Sequence, residues 1–162
     1  MQDDCLTPFV AFIKKENVVE IFKQLGVPVE VDLLSLDVDQ NTYYVWESLG
    51  EFKPRVVLIE YNASIPPEID WKVEYSANRM WDGSQNFGAS LKAYERLGSK
   101  LGYTLVGCDF TGTNAFFVRN DLVLNKFAAP FTSENHFEAP RYGYVRWRGY
   151  RKNTILDRHN VD

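Results

Sequence analysis

The sequence predicts one α/β domain built on a mixed sheet, and three observations predict it. Two short runs rich in Val, Ile and Leu, residues 31–36 and 55–61, lack the strict alternation of half-exposed strands. They flank a stretch of helical spacing, so the unit reads as strand, helix, parallel strand. Further on, residues 103–109 and 114–118 read as two strands joined by 110–113, a hairpin that adds an antiparallel pair to the sheet. Finally, 162 residues with 45% apolar and 15% aromatic composition suffice for one real core.

Residues 5–13 carry Leu6, Phe9, Val10, Phe12 and Ile13 and suit a strand, with Pro8 near its start. Asn17 and Glu20 make a capping-box-like helix start, Val18, Ile21, Phe22 and Leu25 share one face, and Gly26 and Pro28 close that helix. The strand over 31–36 is expected to be covered on both faces. Val45 and Leu49, four apart, place a helix over 43–49, and the turn 50–54 leads into the strand over 55–61. Residues 64–85 hold Pro66, Pro67, Trp71 and Trp81 without a usable period and form a long loop. Trp81-Asp82-Gly83 then approaches a helix whose stripe is Leu91, Tyr94, Leu97 and Leu101, ended by Gly102. Gly112 turns the hairpin, and the chain from Asp121 onward is loop-like.

Bulk composition excludes several classes. No stretch reaches the roughly 18 apolar residues of a membrane span, and the first residues lack the basic-then-apolar order of a signal peptide, so the expected compartment is cytoplasmic. Cys5 and Cys108 make neither a disulfide framework nor a metal motif. Residues 141–162 hold five Arg and one Lys against two Asp, which leaves the first 140 residues at −8 of a total of −4. That basic, aromatic tail could stack bases, but an acidic body also attracts its own basic tail, and nucleic acid is not the expected partner. Glycine-rich phosphate loops, a catalytic triad and internal repeats are all missing from the sequence.

The chemistry gathers where the two parallel strands end. A right-handed crossover puts both ends on one edge of the sheet, which brings Asp37, Asp39 and Asn41 toward Glu60 and Asn62. Ligands of open α/β sheets bind at that carboxyl edge. Two unit charges about 4 Å apart at an effective dielectric near 20 repel by roughly 4 kcal/mol, so something must offset the convergence. A shared proton, a Lys or Arg from elsewhere, or a divalent cation would each do so. Oxygen ligands from Asp37, Asp39, Asn41 and Glu60 suit Mg, Ca or Mn better than Zn. The plainer alternative is that Asp39 and Asn41 cap the following helix while Glu60 faces water. An EF-hand is excluded, because Thr42 stands where its loop needs Gly and Ser48 where it needs Glu. The loop over 64–85 leaves the same edge and could lid it.

The segments DLLSLDVDQNTYYVWESL, RVVLIEYNA, WDGSQNFGASLKAYERLG and GYTLVGCDFTGTNAFFVRNDL, in that order, resemble the C-terminal two-thirds of FkbM-type S-adenosylmethionine-dependent methyltransferase-like proteins. The resemblance covers about residues 5–140 and implies a Rossmann-like sheet beginning at the third of seven strands. It implies a truncated domain over 1–140, followed by the tail 141–162. Asp39, Glu60 and Asn62 would be the catalytic set, with Asp37 placing the cofactor and Ala11 and Phe12, at the end of the third strand, approaching its adenine. Trp81, Asp82 and Gly83 would form the substrate loop for a small-molecule methyl acceptor. Two features depart from the family: Gln40, Asn41 and Thr42 replace a Gly-Asn-Asp pattern, and the glycine-rich cofactor turn and the acid after the second strand have no counterpart. The expectation is therefore a methyltransferase-like fragment inactive alone, or a non-enzymatic module that pairs through an open sheet edge with a second copy or a missing N-terminal half.

Overall fold

The computed structural model describes residues 8–78 and 80–141. The tail beyond Arg141 and the start of the expected first strand lie outside the described residues.

The chain enters through an irregular segment and forms α1 (Val18–Gln24). Asn17 precedes it without capping it; its side-chain oxygen accepts from the Lys14 amide at 2.8 Å and its amide donates to the Phe12 carbonyl at 2.9 Å. There follow β1 (Leu33–Leu36), a single 3-10 turn at Asp39–Asn41, α2 (Thr42–Ser48) and β2 (Val56–Glu60). The long loop then leads to α3 (Leu91–Leu101), β3 (Tyr103–Cys108) and β4 (Asn114–Arg119), and the chain closes with the short helices α4 (Asn120–Val123) and α5 (Ser133–His136). Those two helices stand where the sequence predicts only loop.

The four strands form one open, mixed sheet in the order β1-β2-β4-β3. β1 and β2 are parallel, with Leu36 opposite Ile59, while β4 runs antiparallel to both β2 and β3. Every strand in this sheet is one the sequence predicts, to within two residues at either end. The strand expected over 5–13 is the exception, because described residues 8–13 have no strand partner and residues 8–12 are exposed. An apolar run becomes a strand only beside a neighbour that accepts its hydrogen bonds.

One face of the sheet carries the core. Val57, Ile59, Leu105, Ala115 and Phe117 are all buried there beneath α2 and α3. Trp46 of α2 packs on Phe117 at 4.9 Å between ring centroids, the two planes inclined by 57°. α3 comes closest at Gly98, where a Cβ would lie 2.8 Å from the Phe117 ring and 3.2 Å from Trp46. The opposite face is only partly covered, since Leu33 is 56% and Phe116 37% exposed. The two-sided burial expected of residues 31–36 is therefore not found: β1 is an edge strand, and among the described residues nothing packs over its outer face.

At the end of the hairpin, Asp109 gathers the turn, accepting from the amides of Thr111 and Thr113 at 3.0 Å and of Asn114 at 3.1 Å. Residues 138–139 lie against Gly112, where a Cβ would meet the Glu138 carbonyl oxygen at 2.5 Å.

Gly98→Ala tests the packing of α3. Alanine would gain about 1 kcal/mol in helix propensity, but overpacking against two buried rings costs roughly 1–3 kcal/mol. The net expectation is a lower urea midpoint than wild type; a higher midpoint would show that α3 lies further from the sheet.

Candidate functional site

The carboxyl ends of β1 and β2 bring together what the sequence places there. Carboxylate oxygens of Asp37, Asp39 and Glu60 lie within 4.8 Å of one another, with Asp37 and Asp39 exposed and Glu60 half-buried. None of the ion pairs among the described residues includes any of the three. Among the described residues the acids therefore face one another without a basic neutraliser. Burial foremost, then the Asp37 charge and hydrogen bond and the Asp39 charge, push the Glu60 carboxyl up to about 7.

The turn that positions Asp39 is held from two sides. Asp39 itself has φ 53, a left-handed backbone that Asp tolerates better than most residues. Thr42 closes the turn, its hydroxyl accepting from the Val38 amide at 3.1 Å and donating to the Asp39 carbonyl at 3.3 Å. Asn41 makes no cap to α2; its amide donates to the Ser76 carbonyl at 2.9 Å. The capping alternative thus fails for Asn41, and a half-buried Glu60 is not the water-facing acid that alternative needs.

Asn62, expected in the catalytic set, is tied into the long loop. It is buried, its amide donates to the carbonyls of Gln85 at 2.7 Å and Phe87 at 3.0 Å, and its oxygen accepts from the Ser64 amide at 3.1 Å and the Ser64 hydroxyl. With its polar atoms so occupied, Asn62 clamps both ends of the long loop. That loop is pinned again in its middle, where the Val73 amide donates to the Gly88 carbonyl and the Ser90 amide to the Trp71 carbonyl. Its flanks meet the acidic turn at Ser76 and at Gly88, whose Cβ position is 3.7 Å from the Asp39 carbonyl oxygen.

The remaining predicted residues lie further out. Trp81, Asp82 and Gly83 form an exposed turn in which the Trp81 ring nitrogen donates to the Ser84 carbonyl at 2.7 Å and Trp81 packs on Phe87. Ala11 and Phe12 are exposed on the irregular N-terminal segment instead of ending a third strand. That segment does reach the loop, because Lys14 donates to Asn78 at 2.9 Å, Tyr75 bonds Glu16, and Lys15 lies over the Tyr75 ring.

No family model matches the chain, and no curated protein or solved structure matches it significantly. The edge must therefore be read from its own geometry.

Two residues at this edge lie outside the expected site set. Tyr94, in the first turns of α3, is fully buried and its hydroxyl has no hydrogen-bond partner. Gln40 is 2% exposed, and neither atom of its amide is paired. Tyr94 reads in the sequence as one more member of an apolar stripe, so no spacing signal marks it.

The three acids also set a pH dependence. Glu60 takes up its proton near 7 when folded but only in the ordinary range near 4.5 when unfolded. Between these values the folded state holds the extra proton, so stability is greatest at the acid end and falls as pH rises from about 4.5 to 7. Allowing for solvent screening of a half-buried group, the loss is about 1–2 kcal/mol. Glu60→Gln should remove it, unfolding at higher urea than wild type at pH 8 and showing a flatter profile below pH 7. Parallel wild-type and variant profiles would mean that neither burial nor the neighbouring acids raise Glu60 in the folded state.

Proposed function

We propose that this chain is the methyl-transfer edge of a Rossmann-like, S-adenosylmethionine-dependent methyltransferase-type domain. The strand order carries the reading. In the methyltransferase topology 3-2-1-4-5-7-6, the last four strands have one reversed member, the seventh, inserted between the fifth and sixth. The order β1-β2-β4-β3, with β4 alone reversed, matches that half strand for strand. The acid cluster stands at the carboxyl edge, where such a sheet does its chemistry.

In this scheme Asp37 places the cofactor, and Glu60, assisted by Asp39, accepts a proton from the small-molecule methyl acceptor. A carboxyl that titrates near 7 is suited to such work at neutral pH. The methionine and ribose portions of the cofactor would rest on a glycine-rich turn and an acid that these 162 residues do not contain. Each charge-assisted hydrogen bond contributes roughly 1.5–3 kcal/mol, so losing three weakens a micromolar complex to tens of millimolar. Cytoplasmic placement is part of the same proposal; among the described residues no helix is long and apolar enough to cross a membrane.

The chain alone is therefore expected to give no calorimetric signal with S-adenosylmethionine and no methyl transfer. At millimolar cofactor, ligand-observed NMR should still detect contact to the adenine and methyl protons, and Asp37→Ala should abolish it. Micromolar binding would mean that a complete pocket exists, and absence of contact in wild type would remove the methyltransferase reading.

The open edge supports a second reading, a non-enzymatic module that pairs through β1. Among the described residues that strand has no neighbour on its outer side, and Leu33 and Phe116 leave an apolar strip on the sheet face. Light scattering at rising concentration should then show a dimer that Leu33→Lys disperses. A monomer throughout would discard pairing with a second copy.

A further inference from the structure

A cluster of acids is no more than a repulsive surface unless something else points into it. Here that something lies beneath it. α3 starts at the carboxyl edge, and Tyr94 sits in its first turns with its ring 5.8 Å from that of Tyr43 in α2. Its side chain is fully buried, its hydroxyl finds no partner, and the charges of Glu60 and Asp37 both reach that hydroxyl. Two side-chain amide oxygens in the 3-10 turn are also left over, Gln40 Oε1 and Asn41 Oδ1, each on a buried side chain. Unpaired buried polar atoms are rare and unfavourable, and three residues here combine them with three carboxylates that have no basic partner among the described residues.

We infer that this edge binds a hard divalent cation, with carboxylate oxygens of Asp37, Asp39 and Glu60 as its ligands and the Tyr94 hydroxyl as the donor that orients the Glu60 carboxylate. The donor set is all oxygen, which selects Ca, Mg or Mn over thiophilic metals. Binding uses the carboxylate form of all three side chains. The cation then supplies the positive charge that no described Lys or Arg brings to the cluster. This inference stands without the methyl-transfer reading, because it involves no cofactor.

The test is a terbium titration of residues 1–162 in the absence of S-adenosylmethionine, exciting the aromatic side chains and reading terbium luminescence, followed by displacement with Ca, Mg or Mn. Wild type should give a saturable signal, and the most effective competitor identifies the cation. The double variant Asp37→Asn/Asp39→Asn changes only exposed side chains, so it should remain folded by circular dichroism while losing the saturable signal. Tyr94→Phe keeps the buried ring and should weaken binding roughly tenfold, as removal of an orienting partner does at other metal sites, read from the rise in melting temperature with added competitor cation. A signal that does not saturate, or that persists unchanged in the double variant, overturns the site. Wild-type affinity in Tyr94→Phe overturns the part assigned to that hydroxyl.

Discussion

The close approach of α3 to the sheet is the constraint from which the carboxyl edge follows. Only a glycine at 98 lets the helix rest on Phe117 while Trp46 of α2 presses on the same ring. With both helices seated on one aromatic residue, their first turns converge at the ends of β1 and β2, and Tyr43 and Tyr94 meet there. The Ser90 hydroxyl caps α3 by accepting from the Ala93 amide and also accepts from the Trp71 amide, so the helix start and the middle of the long loop are fixed by one side chain. Displacing α3 would shift Tyr94, the loop and the surroundings of Glu60 together.

The edge so fixed is held against its own electrostatics. Three carboxylates converge, Glu60 half-buried among them, and the backbone at Asp39 adopts a left-handed conformation to bring its side chain there. Local strain of this kind persists only where the surrounding structure over-determines it, here through Thr42 on one side and the Gly88 and Ser76 contacts on the other. Asn62 adds to the same rigidity from the opposite strand, spending its polar atoms on the loop.

How much of this the sequence reveals depends on the range of the interactions involved. The apolar runs of β1 and β2, the stripe of α3 and the hairpin of β3 and β4 are periodic or local signals, and they placed the acids on one edge. Residues 8–13 failed because an apolar run does not state whether a neighbouring strand exists. β1 proved one-sided for a related reason, since burial of its outer face would need an element that the described residues do not supply. Asn62 lies at the expected edge, but its ties to Gln85, Phe87 and Ser64 are not legible in the sequence, because they depend on where a long loop returns. Tyr94 was hidden most completely: a tyrosine on a core stripe is ordinary, and only three-dimensional packing leaves its hydroxyl unpaired.

Gln40, which stands where the resemblance would expect a glycine, takes on a different meaning once the turn is seen. If the loss of glycine mattered through backbone freedom, residue 40 itself would carry the left-handed conformation; instead Asp39 carries it. What Gln40 changes is volume and polarity, because its side chain is 2% exposed and leaves both a donor and an acceptor unpaired next to Asp39. Leaving such groups unpaired costs about 1–3 kcal/mol each, a burden that a glycine would not impose. The amide therefore brings a donor and an acceptor without partners into the turn beside the acids.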